Sequence, residues 1–193
     1  MPITIPNLLT SFRIAAIPLI VVIYYLPFPW AGQASGIIFG LAAITDWFDG
    51  YLARSLNQTT KFGAFLDPVA DKLIVATALV VLVQNDPSIL MMAIATIIIG
   101  REITVSALRE WMSELGASAH VKVTVFAKWK TTLQMFGIGF RLYQEPSFGL
   151  PVYEIGMLLL IAASILTLWS MTDYLKSAWS VIQEDFNKKD VEK

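Results

Sequence analysis

Four aspartates interrupt two apolar stretches of the sequence, and their type and spacing are suited to chemistry. They are Asp46, Asp49, Asp67 and Asp71. An aspartate at the centre of a membrane-spanning helix costs about 2.5–3.5 kcal/mol, so such residues are functional candidates. Four carboxylates lie together only if cations neutralise them or some are protonated. With no cysteine and one histidine in the chain, oxygen ligation favours Mg²⁺ or Mn²⁺ over zinc, and four carboxylates are enough for two ions that promote phosphoryl chemistry.

The spacing of these aspartates predicts that they converge. Asp46 and Asp49 are three residues apart, and Asp67 and Asp71 are four apart, so each pair lies on one face of its helix. A polar loop joins the two helices and reverses the chain direction. Asp46 and Asp71 each lie eight residues from an end of this loop, or about 12 Å along the helix. One cluster of four carboxylates is therefore expected near one end of the helix pair.

Two other interpretations of these acids remain open. The acids could be paired structurally with bases that are close in sequence, namely Arg54, Lys61 and Lys72, although the acids outnumber these bases. They could also line a cation or proton pathway through a membrane. Against a pathway, the sequence shows no inverted repeat, and the acids are expected near one membrane face instead of along a path.

The composition indicates an integral membrane protein. Of 193 residues, 56% are hydrophobic and 15% are charged, whereas soluble domains carry about 25% charged residues. The high hydrophobicity excludes a disordered chain, and the net charge of −1 gives no general attraction to nucleic acid. Six segments have the roughly 17–25 residues that a membrane span needs. They cover residues 8–26, 33–52, 63–83, 88–108, 125–143 and 153–175.

The predicted fold is all-α, with six transmembrane helices in a single membrane domain over residues 1–193. A short N-terminal interfacial helix is expected to begin near residues 6–10, with Asn7 as its N-cap. A frayed polar tail is expected at residues 183–193. Lysines and arginines collect on the side that holds both termini, and the opposite side has only Arg141. Because positive residues favour the cytoplasmic side, both termini are predicted to be cytoplasmic.

The spacing of the acids resembles the signature of the CDP-alcohol phosphotransferase family. The segment from Asp46 to Asp71 reads D-x2-D-G-x2-A-R-x8-G-x3-D-x3-D, without a substitution at the eight specified positions. The resemblance implies a six-helix membrane protein, usually a homodimer, that displaces CMP from a CDP-linked donor by an alcohol. It also implies that the four aspartates bind two Mg²⁺ or Mn²⁺ ions and that Asp71 is the general base.

Further stretches, including residues 60–72 and 106–111, are similar to bacterial members that act on CDP-diacylglycerol and glycerol 3-phosphate. The resemblance implies this reaction at the cytoplasmic face of the bacterial cytoplasmic membrane. The same chemistry on another acceptor, such as inositol phosphate, serine or a lipid alcohol, remains open. The residues expected to hold the cytidine diphosphate are Asn7, Thr10, Gly50, Ala53, Arg54, Thr60, Lys61 and Gly63.

An anionic acceptor such as glycerol 3-phosphate requires a pocket with positive charges. Arg109, Lys128 and Lys130 lie at predicted cytoplasmic helix ends, and Arg101 lies about two turns deeper. Arg101 and Arg109 are eight residues apart, hence close to one helical face. These four residues are the predicted acceptor-phosphate site. A simpler interpretation of the two lysines is that they follow the positive-inside rule and contact anionic lipid.

Overall fold

The structure is a computed structural model that describes residues 5–55, 61–114, 125–147 and 149–191. Its side-chain description leaves out residues 5–7, 47–55, 61–62, 64, 125–128, 177–178 and 180–191. The described helices are α1 Ile5–Tyr24, α2 Ala31–Ser55, α3 Lys61–Asn85, α4 Ile89–Glu114, α5 Val125–Tyr143 and α6 Val152–Val191. Apart from an isolated bridge between Ser147 and Leu150, the described ranges contain no strand. The predicted all-α fold is confirmed for these ranges.

Each of the six predicted apolar segments corresponds to one helix. By length and hydropathy, two described segments could cross a membrane, Ile89–Glu114 in α4 and Val152–Lys176 in α6. A shorter apolar segment, Leu8–Tyr24, lies in α1. Acidic and basic residues interrupt α2, α3 and α5, and they lower the hydropathy of these helices. The six helices are confirmed, whereas six membrane spans stay a prediction.

The predicted N-terminal interfacial helix is not a separate element in the described chain. α1 runs without a break from Ile5 to Tyr24, so the residues expected to form the interfacial helix are its first turns. Pro6 fits there because the missing N–H of a proline has no intrahelical acceptor in the first turn. Asn7 lies inside the helix and is therefore not its N-cap.

α6 is longer than the predicted span. It continues past the apolar segment as far as Val191, so the segment expected to fray at residues 183–193 is helical up to that residue. Glutamine, glutamate and lysine, which are frequent in this segment, have high helix propensity. A helix can therefore continue where the sequence is no longer apolar.

The core lies where the six helices meet. α1 packs against α2 and α3, α5 packs against α2, α3 and α6, and α4 packs against α3 and α6. One large buried side chain from each helix contributes to the same apolar cluster. These side chains are Ile20, Phe39, Leu79, Ile98, Ile138 and Leu160. This packing places the acidic ends of α2 and α3 beside α1 and α5.

α5 approaches its neighbours closely at glycines. A Cβ atom on Gly36 of α2 would lie 2.9 Å from the N, Cα and Cβ atoms of Tyr143. A Cβ atom on Gly137 of α5 would lie 2.8 Å from Leu160 Cγ of α6. Residues without a side chain let helix backbones come together in this way.

An ion pair between a buried arginine and a partly exposed aspartate lies at the end of the bundle opposite the acidic cluster. Arg141 of α5 is 3% exposed and pairs with Asp86 in the α3–α4 connection. The Arg141 Cζ atom lies 3.6 Å from the centroid of the Tyr153 ring of α6. Burial alone would raise the pKa of Asp86, but hydrogen bonding to Ser88 and the charge of Arg141 outweigh it and hold this pKa below its usual range. Ser88 also caps α4 by accepting a hydrogen bond from the Met91 N–H at 3.1 Å.

Candidate functional site

Three of the four predicted metal ligands surround the guanidinium of Arg13 in α1. Arg13 Nη1 lies 2.8 Å from Asp46 Oδ1, and Arg13 Nη2 lies 3.5 Å from Asp67 Oδ1. Arg13 Nη1 also contacts Asp71 Oδ1. The Arg13 side chain is 1% exposed, whereas the three carboxylates are 39–40% exposed. The structure therefore places these acids around one internal cation, with part of each carboxylate open to a ligand.

α1 forms one wall of this acidic cluster. Thr10 and Arg13 are three residues apart and share a helix face. The Thr10 hydroxyl donates a hydrogen bond to Asp67 Oδ1. Thr10, which we expected near the cytidine diphosphate, thus lies in direct contact with a predicted metal ligand.

Arg13 is the partner that sequence reasoning missed. The bases considered there were Arg54, Lys61 and Lys72, all close to the acids in sequence. The sequence did indicate that Arg13 needs a partner, because placing an unpaired arginine inside an apolar helix is energetically unfavourable. Its partner could not be identified from spacing, since Arg13 and Asp71 are 58 residues apart.

The donor set of the acidic cluster fits a hard divalent cation. Carboxylate oxygens are the ligands that Mg²⁺ and Mn²⁺ prefer, and three of them already converge on a positive charge. As placed, the described side chains contain no group of three or more His, Cys, Asp or Glu that could hold a metal ion. The guanidinium of Arg13 binds the acids instead, and the Asp49 side chain lies outside the described residues. Metal binding stays a prediction that the donor chemistry supports.

α5 connects the acidic cluster with a basic cluster, which contains Arg101, Arg109 and Lys130. Met135 of α5 lines a cavity of about 10 Å³ together with Arg13, Asp46 and Asp71. Lys130 precedes Met135 by five residues on the same helix, or about 7.5 Å. The two clusters therefore occupy the same end of the bundle.

The basic cluster contains Arg101, Arg109 and Lys130, three of the four predicted acceptor residues. Lys130 is 2% exposed, and its Nζ has no hydrogen-bond partner within the described part of the chain. Its ammonium interacts electrostatically with Arg101, Glu102 and Arg109 of α4. Burying an ammonium without a partner is unfavourable, so this position is suited to an anionic ligand.

Each arginine of the basic cluster has a defined partner. Arg101 is 7% exposed, and its Nη1 lies 2.9 Å from Glu102 Oε1. Arg109 Nη2 donates a hydrogen bond to the Tyr174 hydroxyl of α6 at 2.7 Å. Tyr174 is a second neighbour that sequence reasoning missed, and no spacing signal pointed to it.

The remaining predicted site residues are only partly covered. Gly63 is buried in α3. The structure describes the helix positions but not the side chains of Asn7, Asp49, Gly50, Ala53, Arg54, Lys61 and Lys128. Thr60 lies outside the described residues. The cytidine diphosphate site therefore stays a prediction.

Comparison with known proteins decides the family. A sequence profile of the CDP-alcohol phosphatidyltransferase family matches residues 3–169. The chain belongs to this family. The profile covers every predicted site residue, from Asn7 to Lys130, and the family resemblance stated from the spacing of the acids is confirmed.

Relatives in the CDP-alcohol phosphatidyltransferase family match almost the whole chain. A protein of Salmonella choleraesuis (strain SC-B67), named CDP-diacylglycerol–glycerol-3-phosphate 3-phosphatidyltransferase, is 50% identical over 178 residues, or 92% of this chain and 96% of the relative. A Pseudomonas fluorescens protein of the same name is 48% identical over 186 residues, or 96% of this chain and 95% of the relative. The chain is therefore similar to these transferases over almost its whole length.

Proposed function

We propose that this chain transfers the phosphatidyl group of CDP-diacylglycerol to glycerol 3-phosphate, forming phosphatidylglycerophosphate and CMP. The observation that carries the proposal is the 50% identity, over 92% of the chain, to a relative named for this reaction. The site supports it with two charge clusters at one end of the bundle. The acidic cluster is suited to a metal-bound diphosphate, and the basic cluster is suited to an anionic acceptor.

The proposed reaction is a direct displacement at the phosphorus atom that carries the diacylglycerol. A hydroxyl oxygen of glycerol 3-phosphate forms a bond to this phosphorus while the P–O bond to CMP breaks. Asp71 accepts the hydroxyl proton as general base, and its carboxylate is 39% exposed, so a substrate can reach it. Asp46, Asp49, Asp67 and Asp71 would hold two Mg²⁺ or Mn²⁺ ions, whose charge would neutralise the diphosphate and stabilise the leaving oxygen of CMP.

The basic cluster favours a phosphorylated acceptor. Arg101, Arg109 and Lys130 carry three positive charges, against which the described contacts place the single carboxylate of Glu102. An acceptor phosphate would balance this excess and supply the acceptor that Lys130 Nζ needs. A serine or neutral lipid alcohol brings no phosphate to the cluster. Inositol phosphate does bring one, and it is the second candidate acceptor.

We propose the membrane arrangement that places this chemistry beside the lipid donor. The six helices span the bacterial cytoplasmic membrane, both termini lie in the cytoplasm, and the enzyme acts as a homodimer. The two segments with the length and hydropathy of membrane spans support this arrangement. The acyl chains of CDP-diacylglycerol then stay in the bilayer while its diphosphate reaches the acidic cluster near the cytoplasmic surface.

An acceptor panel tests the proposed function. The purified protein is incubated in mixed micelles with labelled CDP-diacylglycerol, Mg²⁺ or Mn²⁺, and one of glycerol 3-phosphate, inositol phosphate, serine or a lipid alcohol. We expect CMP release and a labelled phosphatidylglycerophosphate product with glycerol 3-phosphate. Turnover with inositol phosphate but not with glycerol 3-phosphate would identify inositol phosphate as the acceptor. Ion flux in liposomes without any CDP-dependent reaction would favour the cation pathway.

A further inference from the structure

Tyr174 joins the two arginines of the basic cluster. It lies on α6 and is 8% exposed. Its hydroxyl accepts the hydrogen bond from Arg109 Nη2 at 2.7 Å. The centroid of its ring lies 5.3 Å from Arg109 Cζ and 5.7 Å from Arg101 Cζ. One aromatic side chain thus contacts two guanidinium groups that α4 places on one helical face.

The chemistry of this contact differs from that of an ion pair. An arginine offers five N–H donors, and the Tyr174 hydroxyl takes one from Arg109 without adding a negative charge. Arg109 is therefore held in one orientation while its full positive charge stays available to an anion. The face of the ring attracts both cations, which offsets the repulsion between the like charges of Arg101 and Arg109. A carboxylate at the same place would fix Arg109 but would also neutralise it.

We propose that Tyr174 is a positioning residue for the acceptor phosphate, acting through Arg109. This inference rests on the proposed function, because it assigns the basic cluster to the phosphate of glycerol 3-phosphate. The phenol holds the Arg109 guanidinium in place before the acceptor arrives, so less side-chain freedom is lost on binding. In this role Tyr174 acts through Arg109 and takes no part in the chemical step, and its effect is on acceptor affinity.

The Tyr174→Phe variant tests this role, because it keeps the ring and removes the hydroxyl. We expect the KM for glycerol 3-phosphate to rise by about three- to tenfold, the equivalent of one net hydrogen bond. We expect kcat and the KM for CDP-diacylglycerol to stay within about twofold of wild type, because the contacts of Tyr174 are with Arg109 and Arg101, which we assign to the acceptor. The Tyr174→Leu variant also removes the ring and should raise the acceptor KM further.

Tyr24→Phe is a matched control. Tyr24 is also a buried tyrosine, and its hydroxyl accepts a hydrogen bond from Gln144 Nε2 at 2.6 Å. This contact lies at the opposite end of the bundle, so its loss should leave the acceptor KM unchanged. An equal rise of the acceptor KM in the Tyr24→Phe and Tyr174→Phe variants would show a general structural effect and overturn the proposal.

A double-mutant cycle separates action through Arg109 from any other effect. In an Arg109→Ala background, Tyr174→Phe should cause little further change in the acceptor KM. Additive effects on this KM would overturn the proposal. The measurement tolerates a reduced yield of folded variant, because KM does not depend on the concentration of active enzyme.

The two proposals fail in different ways. A wild-type protein that releases no CMP with glycerol 3-phosphate overturns the proposed function. A wild-type protein that uses glycerol 3-phosphate beside a Tyr174→Phe variant with an unchanged acceptor KM overturns only the role of Tyr174.

Discussion

The Arg13 guanidinium faces three carboxylates and is itself almost completely buried. Arg13 contacts Asp46, Asp67 and Asp71 through its two terminal nitrogens. Removing one partner of a buried ion pair leaves the others uncompensated and is strongly destabilising. The acids here are partly exposed, so water screens some of their repulsion. Arg13 is thus the residue that makes this acidic cluster compatible with a folded bundle.

Replacing Arg13 should make the folded state depend on divalent cations. In EDTA, the Arg13→Gln variant should lose about 3 kcal/mol or less of unfolding free energy, because three carboxylates lose their counter-ion. Added Mg²⁺ or Mn²⁺ should raise the melting temperature of this variant more than that of wild type. Thermal unfolding in detergent, with and without each ion, provides the measurement. Equal responses of the two proteins to the ions would contradict this prediction.

Replacing Asp71 should abolish the reaction while the protein still folds. The Asp71→Asn variant keeps the size of the side chain but removes the carboxylate that we propose accepts the proton. We expect CMP release to fall by at least a hundredfold, in keeping with typical general-base contributions of about 10²–10⁴. The control is an unchanged elution profile in size-exclusion chromatography. CMP release near the wild-type rate would end the assignment of Asp71 as base.

At the scale of helices, close approach at glycines sets how α5 sits in the bundle. α5 contacts α2 at Gly36 of α2, and it contacts α6 through its own Gly137. At both glycines an added Cβ atom would lie too close to the neighbouring helix. The same helix carries Lys130, which is buried in the basic cluster, and Met135, which lines the cavity beside the acids. A shift of α5 would therefore change the distance between the acidic and basic clusters.

Two glycines of α2 allow the effect of close helix approach on stability to be tested within one helix. A Cβ atom on Gly36 would lie 2.9 Å from the Tyr143 backbone, whereas a Cβ atom on Gly40 would meet nothing within 4 Å. The Gly36→Ala variant should lose about 1–3 kcal/mol of stability, because α2 or α5 must move. The Gly40→Ala control should be neutral or slightly stabilising, since alanine favours the helix. Thermal unfolding in detergent measures both, and equal melting temperatures of the two variants would contradict the prediction.

The ion pair between Asp86 and Arg141 should give stability that depends on pH. The pKa of Asp86 is lowered in the folded protein. The charged carboxylate therefore contributes its full share to the free energy of unfolding above the unfolded pKa of about 4, and this share is lost as the pH falls through the folded pKa. The Asp86→Asn variant should therefore have a lower melting temperature than wild type at pH 7. The difference between the two melting temperatures should stay constant down to about pH 5 and become smaller below pH 4. Melting curves over this pH range provide the test. A difference in melting temperature that grows in acid would contradict the lowered pKa of Asp86.

At the scale of the whole molecule, charge and apolar surface are distributed as a membrane requires. Large apolar side chains point outward, among them Ile89, Leu158 and Trp169, which are 84%, 66% and 71% exposed. Exposed apolar surface on this scale is typical of contact with lipid. Both charge clusters of the site lie at one end of the bundle, and the Arg141 pair lies at the other. This asymmetry supports the orientation predicted from the lysines and arginines.

Single cysteines can report this orientation, because the natural chain has none. Glu114 ends α4 on the predicted cytoplasmic side, and Glu145 lies in the connection between α5 and α6 on the other side; both are exposed. A membrane-impermeant maleimide should label the Glu145→Cys variant in spheroplasts and the Glu114→Cys variant only after lysis. The cysteine-free parent is the control for background labelling. The reverse pattern would contradict the predicted orientation.

Simple physical arguments from the sequence predicted the helices and the convergence of acids from α2 and α3, of which Asp46, Asp67 and Asp71 meet at Arg13. Apolar runs of membrane length predict helices, and spacings of three and four residues put acids on one face. The start of the first helix was predicted less well. Asn7 was expected to cap a helix that already begins at Ile5. The frayed tail at residues 183–193 stays a prediction, although α6 continues to Val191. Local propensities are weak at such boundaries, because polar residues with high helix propensity can also extend a helix.

The amino-acid sequence by itself determined the residue types of the site, the helices that carry them and the family. Those features depend on spacing along the chain, which the helix period converts directly into faces and depths. Only the tertiary structure decided which charges face one another. Arg13 meets Asp71 across 58 residues, and Arg109 meets Tyr174 across 65. Such pairs form because helices pack side by side, and no local pattern in the sequence records which helices become neighbours.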